Sequence, residues 1–191
     1  MDENKYFHYL QNISWKGKLY RDYFVYPLIE RWCKGNVLDL GCGVGNFLKR
    51  KPNYVGVDIN KDCVNFCVQK GLNAVPMNVD ELPFSNNTFH TIILDNVLEH
   101  ISEPSKLVNE IKRVLCTYGR IIILVPGEKG YDQDDDHKSF YNKNDLIELA
   151  SKFNLEVEKT SSIPLPFLSK IFSFFCFFAV LKLNESSKIS K

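Results

Sequence analysis

The feature that most constrains the fold is the segment VLDLGCGVGNFL, residues 37–48, in which a short apolar run meets three glycines spaced two apart. An apolar run that ends in glycine is typical of a strand buried in a parallel sheet. Glycine lets the backbone turn sharply and lets a ligand approach it closely. We therefore predict a ligand site over Gly41, Gly43 and Gly45, at the carboxyl edge of an open α/β sheet.

Strand-like and helix-like patterns alternate along the rest of the chain. Helices are predicted at 45–51, at 60–71, at 102–119 and at 142–153, the last beginning at a capping box of Asn142 and Asp145. The alternation, without internal repeats over 191 residues, predicts one domain with a doubly wound, mostly parallel α/β sheet. The predicted strands are 36–40, 54–58, 73–77, 91–94, 121–125 and 155–160.

The charge balance and the cysteines exclude several classes of protein. The chain has 24 Lys and Arg against 23 Asp and Glu, a formal net charge of +1, so no general basic field favours nucleic acid. The six cysteines are scattered, without a CxxC pair or a zinc spacing, which favours a reducing compartment. The first ten residues are too polar for a signal peptide. We expect a cytoplasmic protein that does not bind nucleic acid.

Residues 171–181, IFSFFCFFAVL, form an almost unbroken apolar run. A membrane-spanning helix needs about 20 apolar residues, and extending this run toward the N-terminus meets Lys170, Pro166 and Pro164. A strand buried on both faces also has a continuous apolar sequence. The pattern favours a buried strand, with peripheral membrane contact at this edge as the alternative.

The second predicted strand ends in Asp58, beside the glycine turn. A carboxylate at this position can accept hydrogen bonds from a ribose diol, so we predict a nucleoside-bearing cofactor. The dinucleotide motif GxGxxG requires a glycine one place after Gly45, where this chain has Asn46, which argues against NAD. We expect Asp58→Ala to weaken cofactor binding and to leave the fold intact.

Five segments in order resemble those of the class I, Rossmann-like S-adenosyl-L-methionine (SAM)-dependent methyltransferases of the small-molecule branch. They are DLGCGVG (39–45), GVDIN (56–60), ELPFSNNTF (81–89), VLEHI (97–101) and RVLCTYGRIIILVP (113–126). The resemblance spans about residues 36–160. It implies a seven-stranded sheet with an antiparallel seventh strand between the fifth and sixth, and SAM as the cofactor, with S-adenosyl-L-homocysteine (SAH) as its product.

The resemblance also implies roles for residues of the cofactor site. Asp39 would organise the glycine loop, Asp58 would accept from both ribose hydroxyls, and Ile59 would pack on the adenine. Two residues depart from the family pattern: Asn78 replaces an acid that contacts the adenine amine, and His90 replaces an acid before the fourth strand. The Asn78 amide can still accept a hydrogen bond, and we interpret His90 as a surface substitution. The implied cofactor-binding set is Asp39, Gly41, Cys42, Gly43, Gly45, Asp58, Ile59, Asn78, Val79, Asp80, Leu94, Asp95 and Asn96.

Methyl transfer to a hydroxyl benefits from a general base, and histidine is the commonest. The candidate catalytic residues are His137, after the fifth predicted strand, and His100 in VLEHI. His137 would orient a hydroxyl of the acceptor or take its proton, and the alternative for His100 is a histidine that only orients its own loop. The acidic run 134–136 is interpreted as a solvated loop, so no metal site is predicted.

We therefore predict a SAM-dependent methyltransferase that acts on a small-molecule, saccharide or lipid-intermediate acceptor. A SAM-binding protein without catalysis and an NAD-dependent oxidoreductase are the alternatives, and methylation at oxygen, nitrogen or carbon stays open. The domain is expected to span residues 1–183, with 1–34 as a helical cap or lid over the acceptor and 184–191 as a flexible tail.

Overall fold

The computed structural model describes residues 3–12, 14–163 and 175–184. Seven strands form one sheet: β1 (Val37–Leu40), β2 (Val55–Asp58), β3 (Ala74–Pro76), β4 (Phe89–Asp95), β5 (Leu115–Pro126), β6 (Leu155–Ile163) and β7 (Cys176–Leu183). Their order across the sheet is β3-β2-β1-β4-β5-β7-β6. β1 to β5 pair in parallel, whereas β7 is antiparallel to both of its neighbours. The predicted fold class and the interior position of the antiparallel strand are confirmed.

β7 is buried on both faces of the sheet, which explains its unbroken apolar sequence. Ala179 and Leu181 pack in the hydrophobic core on one face, and Phe178 and Val180 pack in the core on the other. None of these four residues is more than 1% exposed. The interpretation of this run as a buried strand is therefore confirmed from Cys176 onward, and residues 171–174 lie outside the described residues.

Helices cover the sheet and precede it at the N-terminus: α1 (Glu3–Gln11), α2 (Trp15–Tyr20), α3 (Tyr26–Glu30), α4 (Lys61–Gln69), α5 (Ser105–Val114), α6 (Glu128–Tyr131) and α7 (Lys143–Lys152). A π-helical turn, Arg21–Val25, joins α2 to α3. α7 begins at the predicted capping box of Asn142 and Asp145. Within the described ranges, no helix combines the length and the apolar character needed to cross a bilayer.

Two elements differ from the sequence-based expectation. The segment predicted as a helix at 45–51 is a turn that ends in a 3-10 helix, Leu48–Arg50. The helix predicted to reach residue 119 ends at Val114, and β5 begins at once with Leu115. Leu115 is fully buried and pairs with Phe89 of β4, so pairing with a neighbouring strand replaces the last turn of the predicted helix.

Candidate active site

A tight loop after β1 forms one wall of the site. Its three glycines all have positive φ: Gly41 +75°, Gly43 +51° and Gly45 +70°. These values strain any residue that has a Cβ atom, which is why glycine recurs here. A Cβ on Gly43 would lie 3.0 Å from Leu10 Cδ1 of α1, so the N-terminal helix packs directly on the loop.

Asp58, at the end of β2, is buried and holds the loop with its carboxylate. Its Oδ2 accepts a hydrogen bond from Gly43 N at 2.8 Å, and its Oδ1 accepts one from Asn60 N at 2.8 Å. Asn60 in turn caps α4 with its side-chain oxygen. Because charge-assisted hydrogen bonds are stronger than neutral ones, Asp58 stabilises both the loop and the start of α4.

A cavity of about 780 Å³ opens between the glycine loop and the N-terminal helices. This volume lies within the range of about 300–1,000 Å³ typical of small-molecule and cofactor sites. Eight of the predicted site residues line it: Asp39, Gly41, Cys42, Gly43, Asp95, Asn96, His100 and His137. The cavity therefore connects the predicted cofactor residues to both candidate catalytic histidines.

The other predicted cofactor residues do not line this cavity. Gly45 faces α4, where a Cβ would lie 2.8 Å from Cys67 Sγ, and Leu94 is a core residue of β4. The remaining five are Asp58, Ile59, Asn78, Val79 and Asp80, which end or follow β2 and β3.

The ends of β2 and β3 present exposed apolar side chains where the resemblance places the adenine. Met77 N donates to Asp58 O at 3.0 Å, which fastens the two strand ends together. Ile59 is 54% exposed and Val79 is 73% exposed. The Asn78 amide, which was expected to reach the adenine, donates instead to Glu81 Oε2 at 2.9 Å. Ile59 and Val79 can therefore make apolar contacts with an adenine ring. The contact of Asn78 with the adenine stays a prediction.

The π-helical turn supplies a cation that the sequence analysis did not select. Arg21 forms an ion pair with Asp95, and its Nε donates to Tyr26 Oη at 3.3 Å. Asp39 belongs to the same charged group: burial, together with the charges of Asp95 and Asp58, raises the pKa of its carboxyl well above the usual range. Arg21 therefore brings positive charge to a buried group of carboxylates. The Arg21–Asp95 contact spans 74 residues of sequence, so no local pattern signals it.

The two candidate catalytic histidines meet at the other end of the cavity. The ring centroids of His100 and His137 are 4.7 Å apart. His100 lies in a 3-10 helix, Leu98–His100, and His137 lies in the segment after β5. The N–H groups of Lys138 and Ser139 donate to Glu99 O at 2.8 and 3.1 Å and fasten the two segments together. Burial lowers the pKa of His100, and the neighbouring His137 lowers it further.

Glu99 lies behind the histidines and was missed by the sequence analysis, although it precedes His100 in VLEHI. The residue is fully buried, and neither carboxylate oxygen has a hydrogen-bond partner in the described part of the chain. Burial raises the pKa of this carboxyl to about 8. Glu99 Oε1 lies 3.9 Å from His137 Nε2, and His137 Nδ1 lies 2.7 Å from Tyr131 O.

Comparison with known proteins supports the family that the sequence resembles. Residues 38–123 match the family model described as "Methyltransferase domain". A SAM-dependent methyltransferase of Aquifex aeolicus has the same fold, with a TM-score of 0.70 and 18% identity over 96% of this chain and 99% of that one. The family match and the shared fold together support a class I, Rossmann-like methyltransferase. The family resemblance seen in the sequence is confirmed.

Curated relatives match this chain over part of their length. An uncharacterised protein of Methanocaldococcus jannaschii is 31% identical over 131 residues, which are 66% of this chain and 63% of that protein. The ubiquinone/menaquinone biosynthesis C-methyltransferase UbiE of Haemophilus ducreyi is 29% identical over 125 residues, which are 58% of this chain and 48% of UbiE. Proteins named as tRNA methyltransferases also match. The chain thus spans 63% of the length of the M. jannaschii protein and 48% of the length of UbiE.

SAM is the methyl donor that this family implies, and polar atoms of the cavity fit its methionine part. Asp95 Oδ1 and Asn96 Oδ1 are buried and, among the described residues, have no hydrogen-bond partner. A buried acceptor without a partner costs about 1–3 kcal/mol, so a ligand that donates to it is favoured. The α-ammonium group of SAM can donate to these two oxygens, and Arg21 can donate to its α-carboxylate.

We expect Asp58→Ala to lower both cofactor affinity and stability, because the carboxylate accepts from two backbone N–H groups and, as the resemblance implies, would also accept from the ribose hydroxyls. A hydrogen bond to a charged group contributes about 1.5–3 kcal/mol, so SAH affinity should fall about tenfold to hundredfold. The unfolding free energy should fall by about 2 kcal/mol, which differs from the sequence-based expectation of an intact fold.

Calorimetric titration with SAH and urea unfolding measure the two effects of Asp58→Ala. Asp62→Ala, at an exposed acid on α4, is the matched control and should change neither. Unchanged stability of Asp58→Ala would contradict the structural role of its carboxylate.

Proposed function

We propose that this protein is an enzyme that transfers the methyl group of SAM to a small organic acceptor. The observation that carries the proposal is a single cavity that joins the glycine loop and the Arg21–Asp95 pair to the His100–His137 pair. The loop end suits a cofactor whose methionine part carries charges of both signs. The histidine end is then left for the acceptor.

SAM supplies an electrophilic methyl group, so the protein mainly has to align the acceptor with the C–S bond and exclude water. α1 contributes to both tasks because it closes the cavity at two points. Leu10 packs over Gly43, and the Tyr6 ring makes an edge contact with His100 at 6.5 Å between centroids. We therefore propose that the predicted N-terminal lid covers the cofactor loop as well as the acceptor side. His100 and His137 act on the acceptor, by orienting it or by helping to remove its proton.

The mouth of the cavity supports an acceptor with an apolar body. Tyr9, Leu19 and Tyr23 line the cavity and are 52%, 44% and 71% exposed. Large exposed apolar side chains around an opening are typical of a binding surface. The similarity to a quinone-biosynthesis methyltransferase agrees with this chemistry. Among the acceptors predicted from the sequence, a lipid intermediate is therefore favoured over a saccharide.

Besides the peripheral membrane contact predicted at residues 171–181, this surface offers a second candidate for such a contact. Trp15 and Phe24, on the same N-terminal helices, are 67% and 63% exposed. Co-sedimentation with vesicles tests the contact, which should weaken when both residues are replaced by serine. Equal binding of the wild type and the double variant would argue against it.

The tRNA methyltransferases among the relatives make tRNA the competing acceptor. The formal net charge of +1 speaks against it, because phosphate contacts by Lys and Arg dominate nucleic-acid affinity. Mobility-shift assays at physiological salt, with bulk tRNA, test the expected absence of binding. Micromolar binding would replace the small-molecule proposal.

Cofactor binding is the first test of the proposed function. We expect calorimetric titration to show one SAH or SAM site per chain and NAD binding far weaker, because Asn46 stands where the dinucleotide motif has glycine. Tight NAD binding without SAM or SAH binding would contradict the proposal and favour an oxidoreductase. Detection of SAH formation against a metabolite panel separates an enzyme from a SAM-binding protein without catalysis.

We expect His137→Ala to lower turnover by about a hundredfold or more and to leave SAH affinity nearly unchanged, because general acid–base assistance contributes about 10²–10⁴. The matched control is His90→Ala, at an exposed histidine that is not among the cavity-lining residues. Steady-state kinetics and SAH titration measure the two effects. If His137→Ala keeps its turnover and only loses thermal stability, His137 is a structural residue of its loop.

A further inference from the structure

We infer that Glu99, His100 and His137 together bind one divalent transition-metal ion, with Zn²⁺ the best suited, at the acceptor end of the cavity. One ligand atom from each residue lies within 4.8 Å of the others. The role given to the ion rests on the proposed function, whereas its binding does not. The sequence-based expectation that the protein has no metal site concerned the acidic run 134–136, and none of those residues belongs to this group.

The spacing of the three side chains is close to that of ligands around one ion. Zinc binds His nitrogen and carboxylate oxygen at about 2.0–2.2 Å, so ligand atoms in tetrahedral coordination lie about 3.4 Å apart. His137 Nε2 and Glu99 Oε1 are 3.9 Å apart, which is too long for a hydrogen bond and near the separation of two ligands. Side-chain shifts of about 1 Å would bring the group to coordination distance.

The carboxylate of Glu99 is an independent indication of a ligand. Its side chain is 1% exposed, and both of its oxygens lack hydrogen-bond partners among the residues that the structure describes. Buried charges in proteins are paired or coordinate metals, because an isolated one is very costly. A bound cation would pair the carboxylate.

The surroundings of His137 match those of a metal-binding histidine. Its Nδ1 lies 2.7 Å from Tyr131 O, and donation to that carbonyl leaves the lone pair of Nε2 on the side of Glu99. A carbonyl partner on the second ring nitrogen is typical of metal-bound histidines. Two imidazoles and one glutamate form the ligand set of some catalytic zinc sites, which leave a fourth position open. His100 and His137 line the cavity and Glu99 does not, so the open position would face the acceptor.

This placement defines the class of acceptor as one with an ionisable hydroxyl. A hydroxyl bound to the ion has a lowered pKa, as metal-bound water does, and loses its proton to solvent. The oxygen lone pair then forms the new C–O bond while the C–S bond breaks and leaves its electron pair on sulfur. The charge of the ion is unchanged, so the step needs no oxidant or reductant.

The test is metal binding by the whole chain, without acceptor. We expect calorimetry to show that the chelator-treated protein binds one Zn²⁺ ion per chain. We expect it also to bind one Co²⁺ ion, with an absorption spectrum typical of nitrogen and oxygen ligands. Glu99→Gln and His137→Ala should each weaken Zn²⁺ binding by about a hundredfold, because each removes a direct ligand. Even the loss of a group that only hydrogen-bonds to a ligand costs about 10–100-fold in metal affinity. His90→Ala is the matched control and should bind as the wild type does.

Three outcomes would overturn the inference. The first is that the protein binds neither Zn²⁺ nor Co²⁺ at millimolar concentration. The second is that the wild type and a Glu99→Gln/His137→Ala double variant bind Zn²⁺ with equal affinity. The third is a thiolate charge-transfer band in the Co²⁺ spectrum, which would show that cysteines are the ligands. Glu99→Gln keeps the shape of the side chain, and thermal unfolding verifies that it is folded. SAH titration of the wild type distinguishes failure of the metal site from failure of the proposed function. If the wild type binds SAH but no metal, only the metal site is refuted. If it does not bind SAH, the proposed function is refuted.

Discussion

A chain that ends at Ile163 should fail to fold, because β7 pairs with both β5 and β6 from the middle of that half of the sheet. Its removal takes Phe178, Val180 and Leu181 out of the two cores. Each such side chain contributes about 1.5–3 kcal/mol on burial, and the total stability of a domain is about 5–15 kcal/mol. The truncation also leaves two strand edges without partners for their backbone groups.

Circular dichroism and urea unfolding of the truncated chain measure this effect. The matched control is a chain that ends at Asn184, which keeps all of β7 and removes only the predicted tail. We expect the control to unfold at the same urea concentration as the whole chain. A truncated chain that unfolds cooperatively, and differs only in losing vesicle binding, would instead favour the membrane-contact interpretation of the apolar run.

Arg21→Ala should lower both the unfolding free energy and the affinity for the cofactor, and we expect this effect to be the second largest. The side chains of Arg21 and Asp95 are 20% and 11% exposed. Removing one partner of a buried ion pair costs about 3–5 kcal/mol, and the partial exposure places the expected loss near the lower limit. Because Asp39 lies in the same group, removal of Arg21 takes a positive charge away from both Asp95 and Asp39. SAH affinity should fall by at least about tenfold if Arg21 binds the α-carboxylate.

A double-mutant cycle separates the two roles of Arg21. Asp95→Asn should recover part of the stability lost in Arg21→Ala, because the leftover charge is gone, while SAH affinity should stay low. Arg31→Ala, at an exposed arginine just after α3, is the control and should change neither quantity. Additive losses of stability in the cycle would show that the Arg21–Asp95 pair does not contribute to folding.

Local patterns allowed much of the sheet to be predicted, together with the glycine loop. Glycines at residues 41, 43 and 45 indicated a sharp turn, which the structure shows with positive φ, and Asp58 at the next strand end indicated a carboxylate beside it. These features depend on interactions within a few residues or between neighbouring strands. The resemblance then placed β7 between β5 and β6, where its two-faced apolar pattern is explained. Predictions failed where a neighbouring strand overrode a local preference, as at Leu115.

By itself, the amino-acid sequence determined the strand and helix alternation, the glycine loop and the acid beside it, because periodicity and turn chemistry act over short stretches of chain. Only the tertiary structure decided which distant groups meet. Arg21 reaches Asp95 across 74 residues, and Glu99 is a buried carboxylate whose backbone carbonyl accepts hydrogen bonds from the loop of His137. The energies of these contacts come from burial and from the pairing of charges, which depend on the surroundings that the whole fold creates and not on any local pattern.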